Sequence, residues 1–178
     1  MLRVKQIVEQ SAEPTIVVVS AMGGITDRLI RTAKMASSGD DGYISELQFI
    51  IDKHHTTIEE LMGDSALATE IRLKVDAMID ELSNIYKGIY LIKDLSERTR
   101  DTIVSYGERL SSTIIAAVID GAELKDSRSI IRTTHYYDKH IVDFDQTNER
   151  IREAFATLPQ RTVMGGFISS DRDSGDVT

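Results

Sequence analysis

Between Tyr43 and Asp94 the chain repeats apolar residues at heptad spacing. Ile44, Leu47, Ile51, His54, Ile58 and Leu61 step by 3, 4, 3, 4 and 3. After Gly63-Asp64-Ser65, the residues Ile71, Val75, Met78, Leu82, Ile85, Ile89 and Ile92 step by 4, 3, 4, 3, 4 and 3. Such seams with charged outer faces are helical. A short turn between them makes the two helices antiparallel neighbours. At about 1.5 Å per residue the second arm is on the order of 40 Å long. The spacing therefore predicts a long helical hairpin that projects from the rest of the fold or covers one edge of it.

The segments around the hairpin follow another rule. Residues 2–10 carry Leu2, Val4, Ile7 and Val8 at helical spacing, and Pro14 stops that helix. Thr15-Ile-Val-Val-Val19 is a β-branched run and reads as a strand buried on both faces. A Ser20-Ala-Met-Gly-Gly24 turn leads into a second helix ending near Ser38. A further helix is predicted from Thr99 to Asp120, stopped by Gly121. Ile130-Ile131 suggests a short strand, residues 135–145 a loop with an extended Ile141-Val142, and Thr147 the N-cap of a helix over Asn148–Leu158. Thr162-Val-Met-Gly-Gly-Phe-Ile168 is another buried strand. Strands alternating with helices make the chain α/β, with a sheet flanked by helices.

Composition narrows the function. Among 178 residues, 21 Lys and Arg face 29 Asp and Glu, a net charge of −8. No basic run offsets it, so neither nucleic acid nor an anionic membrane surface is an expected partner. The chain has no cysteine, which excludes disulfides, thiolate metal sites and a cysteine nucleophile. The longest apolar run, Ile114 to Ile119, is too short for a bilayer, which needs roughly 20 residues. No signal peptide is evident, and a cytoplasmic location is expected.

Two segments place polar groups where chemistry is possible. Ser20-Ala-Met-Gly-Gly-Ile-Thr26 lies between the carboxyl end of a strand and the start of a helix, where backbone N–H groups and the helix dipole favour an anion. Ala21, Gly23 and Gly24 are the candidate anion-loop residues. An ordinary strand-to-helix turn capped by Thr26 is the alternative. In Ser105-Tyr-Gly-Glu-Arg-Leu-Ser111, Glu108 lies on the edge of the apolar stripe formed by Ile103, Leu110, Ile114 and Val118. A half-buried carboxylate needs a cationic partner. That partner is either a ligand or an internal Arg109 or Arg132. Gly107 weakens the helix by roughly 1 kcal/mol relative to alanine, which suggests a close neighbour. His54 reads as a core histidine on the hairpin seam. His135 and His140 lack a third ligand, so no metal site made of protein ligands is expected.

In this order the segments resemble the aspartate kinases of the amino-acid kinase family. Val17-Val-Val-Ser-Ala-Met-Gly-Gly-Ile-Thr26 matches the family's second-strand motif and Ser105-Tyr-Gly-Glu-Arg-Leu-Ser111 its central-helix motif. Asp126-Ser-Arg128 with Arg132-Thr133, and Gly165-Gly-Phe-Ile168, resemble two later blocks. The fit of Ser-Ala-Met-Gly-Gly-Ile-Thr is also similar to bifunctional aspartate kinase–homoserine dehydrogenases. The resemblance implies phosphorylation of the side-chain carboxylate of L-aspartate by ATP with Mg²⁺. With the family's first strand not in the sequence, the edge beside Thr15–Val19 is expected to be exposed and to favour a homo-oligomer. The resemblance also implies that Glu108 takes the substrate ammonium, that Ser20 and Thr26 contact substrate or the transferring phosphate, and that Phe167 lines the pocket.

The departures from the family pattern are at the two ends. The family's lysine-bearing Lys-Phe-Gly-Gly-Thr-Ser strand and its Leu-Gly-Arg-Gly-Gly-Ser-Asp motif are not in this sequence, and His135 stands where an acidic residue is frequent. Residues 1–178 are therefore expected to form a partial catalytic domain, the substrate-side lobe. No catalytic residue is assigned, and neither ATP nor Mg²⁺ is expected to bind tightly to this chain alone. A non-catalytic lobe whose hairpin mediates subunit contacts is the rival reading. A kinase acting on another amino acid is a second.

Overall fold

A computed structural model of the chain describes all residues except Asp138 and Leu158. In chain order the elements are α1 (Leu2–Gln10), β1 (Thr15–Val19), α2 (Ile25–Ser38), α3 (Tyr43–Met62), α4 (Ala66–Ile92), α5 (Glu97–Val118), β2 (Ala122–Lys125), α6 (Ser127–Ile130), β3 (Arg132–Tyr136), β4 (Lys139–Val142), α7 (Phe144–Ala154), β5 (Arg161–Gly165) and β6 (Ser170–Asp171).

A parallel sheet of order β1-β5-β2 carries the β-branched runs. β5 is central and its residues Thr162–Gly165 are buried, as the sequence predicts. β1 is an edge strand, as expected, and departs from the prediction in its burial. Ile16 and Val18 on one face are exposed, at 46% and 65%. Its other face, Val17 and Val19, packs on Ile115 and Ala116 of α5. β5 also stops earlier than expected. Gly166 donates to the carbonyl of Val19 at 2.7 Å, and Phe167 takes a left-handed φ of 59° that turns the chain out of the sheet.

The hairpin is present as α3 and α4, and it does not project. Ser65 caps α4 by accepting from the Ala68 N–H at 3.0 Å. α4 packs against α2, α3 and α5 together, so the hairpin completes a four-helix layer. Contact with three neighbours widens the buried stripe beyond a two-helix seam. Ile50, Ile79 and Tyr86 are buried, whereas the seam residues Ile44 and Ile92 are 58% and 69% exposed. Val75, Leu82 and Tyr86 are fully buried, each worth roughly 1.5–3 kcal/mol of burial. The Tyr86 hydroxyl donates to the Leu29 carbonyl at 3.1 Å and ties the hairpin to α2.

Other boundaries move for identifiable reasons. α5 begins at Glu97 because Ser96 accepts from the Thr99 N–H at 3.1 Å. Around Ile130 the chain forms one helical turn, α6, before the strand β3. Residues 135–145, expected as loop with an extended Ile141-Val142, hold β4, which contains that pair, the end of its partner strand β3, and the start of α7. Asp143, not Thr147, caps α7, accepting from the Gln146 N–H at 3.0 Å. Thr147 is buried and bridges the N–H and carbonyl of Arg132 at 2.9 and 3.2 Å. The predicted end of that helix at Leu158 lies outside the described residues; α7 ends at Ala154. A second small sheet, β4-β3-β6, closes this end of the molecule.

Candidate functional site

The turn after β1 follows from its glycines. Gly24 holds φ at 78°, a left-handed conformation open to glycine at little cost, and occupies the N-cap of α2. Thr26 makes no capping bond, contrary to the capped-turn reading. The N–H groups of Gly23 and Gly24 have no hydrogen-bond partner among the described residues, and a Cβ at either position would meet open space. Ser20 is exposed and Thr26 half-buried beside them.

α5 meets this turn closely. A Cβ on Gly107 would come within 2.7 Å of the Ala21 Cβ, which accounts for a glycine in mid-helix. One residue on, Glu108 is 5% exposed. Its Oε1 accepts from the Ala21 N–H at 3.3 Å. Its Oε2 is buried with no partner. On its other side Gly165 closes in, since a Cβ there would lie 3.2 Å from the Glu108 Cβ. Burial pushes the Glu108 carboxyl above its ordinary pKa, with the Ala21 N–H opposing that in part.

The internal ion pair considered from the sequence does not form. Arg109 reaches Glu81 at 3.4 Å and stacks on the Tyr106 ring at 4.2 Å. Arg132 lies on β3 and has no carboxylate partner among the described residues. Glu108 is thus a buried carboxylate with no cation and one vacant acceptor oxygen, at the carboxyl ends of two parallel strands. A cationic ligand group satisfies both deficits.

The remaining predicted site residues divide. Ser20, Ala21, Gly23 and Ser111 line one cleft of about 380 Å³ with Lys5, Val19 and Ile115. The Ala21 N–H is occupied by Glu108, so the free donors of the anion loop are those of Gly23 and Gly24. Phe167 is not brought to this cleft. It is fully exposed and sits with Ile16, Val18 and Met164 on the sheet face opposite α5, because its left-handed backbone directs it outward. Asp126 and Arg128 pair with each other at 2.6 Å and cap α6. His54 is buried, with Nδ1 2.7 Å from the Ile50 carbonyl. Gly165 was visible only as part of a strand motif, and its close packing on Glu108 depends on the fold.

A group expected from the resemblance, Mg²⁺ with ATP, can be tested against these side chains. Lys5 is the one basic side chain lining the cleft among the described residues, and Glu9 and Asp120 engage it at 2.5 and 3.0 Å. Glu108 is the carboxylate at the turn, and one oxygen is committed to Ala21. A magnesium triphosphate needs several cations and oxygen ligands. The residues present do not fit it.

A parallel sheet with a glycine turn and a buried, unpaired carboxylate at its carboxyl ends defines a small-ligand-binding α/β domain. The profile of the amino acid kinase family matches residues 2–178, and the chain belongs to that family. Bifunctional aspartokinase/homoserine dehydrogenase 2, chloroplastic, of Arabidopsis thaliana is 29% identical over 92% of this chain and 18% of its own length. Aspartokinase 1, chloroplastic, of the same plant is 28% identical over 93% of this chain and 30% of its own. In structure the chain is similar to Escherichia coli aspartokinase III in complex with lysine and aspartate, with a TM-score of 0.85 at 23% identity, over 99% of this chain and 39% of that one. The chain therefore spans well under half of each of these relatives. Among the described residues no helix is long and apolar enough to cross a membrane.

Proposed function

We propose that this chain forms the aspartate-binding part of an aspartate kinase, which transfers a phosphoryl group from ATP to the side-chain carboxylate of L-aspartate. The observation that carries the proposal is Glu108: buried, without a cation, one oxygen vacant, and fixed beside the glycine turn. Its vacant oxygen accepts the α-ammonium of the amino acid. The free N–H groups of Gly23 and Gly24, with Ser20 and Thr26, face the anionic end of the substrate. An aspartate carboxylate has an ordinary pKa near 3.9 and is already ionised at neutral pH. No general base is needed, and the task of these residues is to orient two anions. No step is derived through the nucleotide, which the residues present do not hold. Phe167 has no part in this reading.

The domain is on this proposal a substrate-side lobe, and assembly into homo-oligomers goes with it. The exposed edge β1 supports a second reading as a lobe for subunit contact. The cytoplasm is proposed as the location on composition alone; the plant relatives are named chloroplastic.

Calorimetric titration separates the readings. L-Aspartate is expected to bind, and succinate, which lacks the ammonium, to bind far more weakly. A charge-assisted hydrogen bond is worth about 1.5–3 kcal/mol, so Glu108→Gln should weaken aspartate by roughly 10- to 100-fold. Equal binding of aspartate and succinate, or an unchanged Glu108→Gln variant, removes Glu108 from the site.

A further inference from the structure

The small sheet β4-β3-β6 gathers residues that are distant in sequence. In the β3–β4 ladder His135 lies opposite His140. In the β3–β6 ladder Thr133 lies opposite Asp171. Side chains two apart on a strand share a face, so Thr133 and His135 point the same way. Their cross-strand partners, Asp171 and His140, share that face. The two imidazole rings meet edge to face with centroids 4.2 Å apart. Asp171 Oδ2 stands 4.0 Å from His140 Nδ1. One ligand atom from each of the three residues lies within 4.8 Å of the others.

The carboxylate is held in place before any ligand arrives. Only 9% of the Asp171 side chain is exposed. Oδ1 accepts from the N–H groups of Asp173 and Ser174 at 3.0 and 2.9 Å and from the Ser174 hydroxyl at 3.2 Å. These bonds fix the plane of the carboxylate. Oδ2 is left facing the histidines. Outer hydrogen bonds of this kind orient a metal-ligating carboxylate. The histidines are partly exposed and on opposed strands, free to close on an ion without moving the sheet.

We propose that His135, His140 and Asp171 form a binding site for a divalent first-row transition metal of the zinc class. Two imidazoles and one carboxylate suit zinc, cobalt or nickel rather than magnesium or calcium, which take oxygen ligands. Bond lengths of about 2.0–2.2 Å around a tetrahedral ion place ligand atoms on the order of 3.3 Å apart, so the three side chains need to close by up to about 1.5 Å. The three residues line a cleft between the sheet and the start of α5, in which Arg98 and Arg100 pair with Asp176 and Asp101 at 2.6 and 3.4 Å and leave Asp171 to the histidines. The bound ion would pin the β3–β4 hairpin to the turn after β6. The sequence alone shows two histidines without a third ligand; the fold supplies the third from 31 positions further on. This site stands apart from Glu108 and does not depend on the aspartate reading.

The test uses the full chain without an affinity tag, titrated with ZnCl₂ by calorimetry and with CoCl₂ by visible absorption. One equivalent is expected to bind, with the intense absorption of four-coordinate cobalt. The double variant His135→Gln, His140→Gln should weaken zinc at least about tenfold, and Asp171→Asn, which keeps the Oδ1 acceptor, should do the same. His55→Gln should change nothing, because His55 pairs with Asp76 on the hairpin. Circular dichroism shows whether each variant is folded, and the histidine changes are on the surface. No binding at roughly 100 µM metal, or binding that survives the double variant, overturns the proposal.

Discussion

A Cβ on Gly107 would stand 2.7 Å from the Cβ of Ala21, so the central helix touches the first turn of the sheet where a side chain has no room. Neither atom belongs to the flexible end of a side chain. Gly107→Ala should therefore force α5 and the turn apart, with an overpacking cost of about 1–3 kcal/mol in urea denaturation. Combining it with Ala21→Gly removes the clash and should recover most of the loss. A Gly107→Ala variant as stable as the parent would show that the contact is slack.

Glu108 makes a prediction about pH. Burial raises its carboxyl pKa, so the folded chain holds that proton more tightly than the unfolded chain. Its contribution is fully present below the unfolded value, about 4.3, and is lost as the pH rises through the folded value. The parent should lose stability relative to Glu108→Gln over that rise, and L-aspartate should reverse the loss. An internal salt bridge would give the opposite slope, and chemical denaturation at several pH values distinguishes the two.

His54 acts in the other direction. Burial lowers its pKa, opposed by the bond to the Ile50 carbonyl. The stability it confers is present above the unfolded value of about 6.5 and is lost as the pH falls through the folded value. The parent should weaken relative to His54→Leu below that pH, by up to about 1.4 kcal/mol per unit. Parallel stability curves for the two proteins from pH 7 to about pH 5 would contradict this.

β1 offers its outer edge and an apolar face to a second chain. Light scattering should show concentration-dependent association, and Val18→Lys, a charge on an edge strand, should weaken it. A parent that stays monomeric at every concentration removes the edge from any assembly surface.

No turnover is expected from this chain alone in a coupled assay with ATP, Mg²⁺ and aspartate. The cleft's lysine is already paired with Glu9 and Asp120, and loss of one electrostatic donor costs roughly 10²–10³ in rate. Turnover would mean that the charge is neutralised by groups outside the cleft described above.

The hairpin was legible because seven-residue spacing persists over two long helices. Its exact buried face was not, since Ile50 and Tyr86 are covered by α2 and α5, which no local pattern specifies. Glu108 could be singled out on the edge of an apolar stripe, and Gly107 pointed to a close neighbour. The identity of that neighbour, Ala21, lies far away in the sequence and belongs to the fold. The extended Ile141-Val142 is legible and falls in β4, but its pairing with β3 is not, because the Thr133–Tyr136 segment is largely polar and alternates weakly. Phe167 was assigned from its motif, and its outward direction comes from one backbone angle that the motif does not encode.

Among the described residues the apolar interior is split in two, a large cluster among the helices and a small one beneath the sheet, and α5 is the one element that serves both. Ile103, Tyr106, Leu110 and Ile114 belong to the first, Ala116 to the second. Glu108 rides on the stretch anchored in the larger cluster. The turn after β1 is anchored there as well, through Ala21, Met22 and Ile25, so Glu108 and its hydrogen-bond donor ride on one apolar body. Motion of the sheet against the helices would therefore carry the carboxylate and the glycine turn together, as the two jaws of one rigid clamp. Amide exchange at Ala21 and along the middle of α5 would then slow or quicken in step, and that of β1 and β5 need not follow.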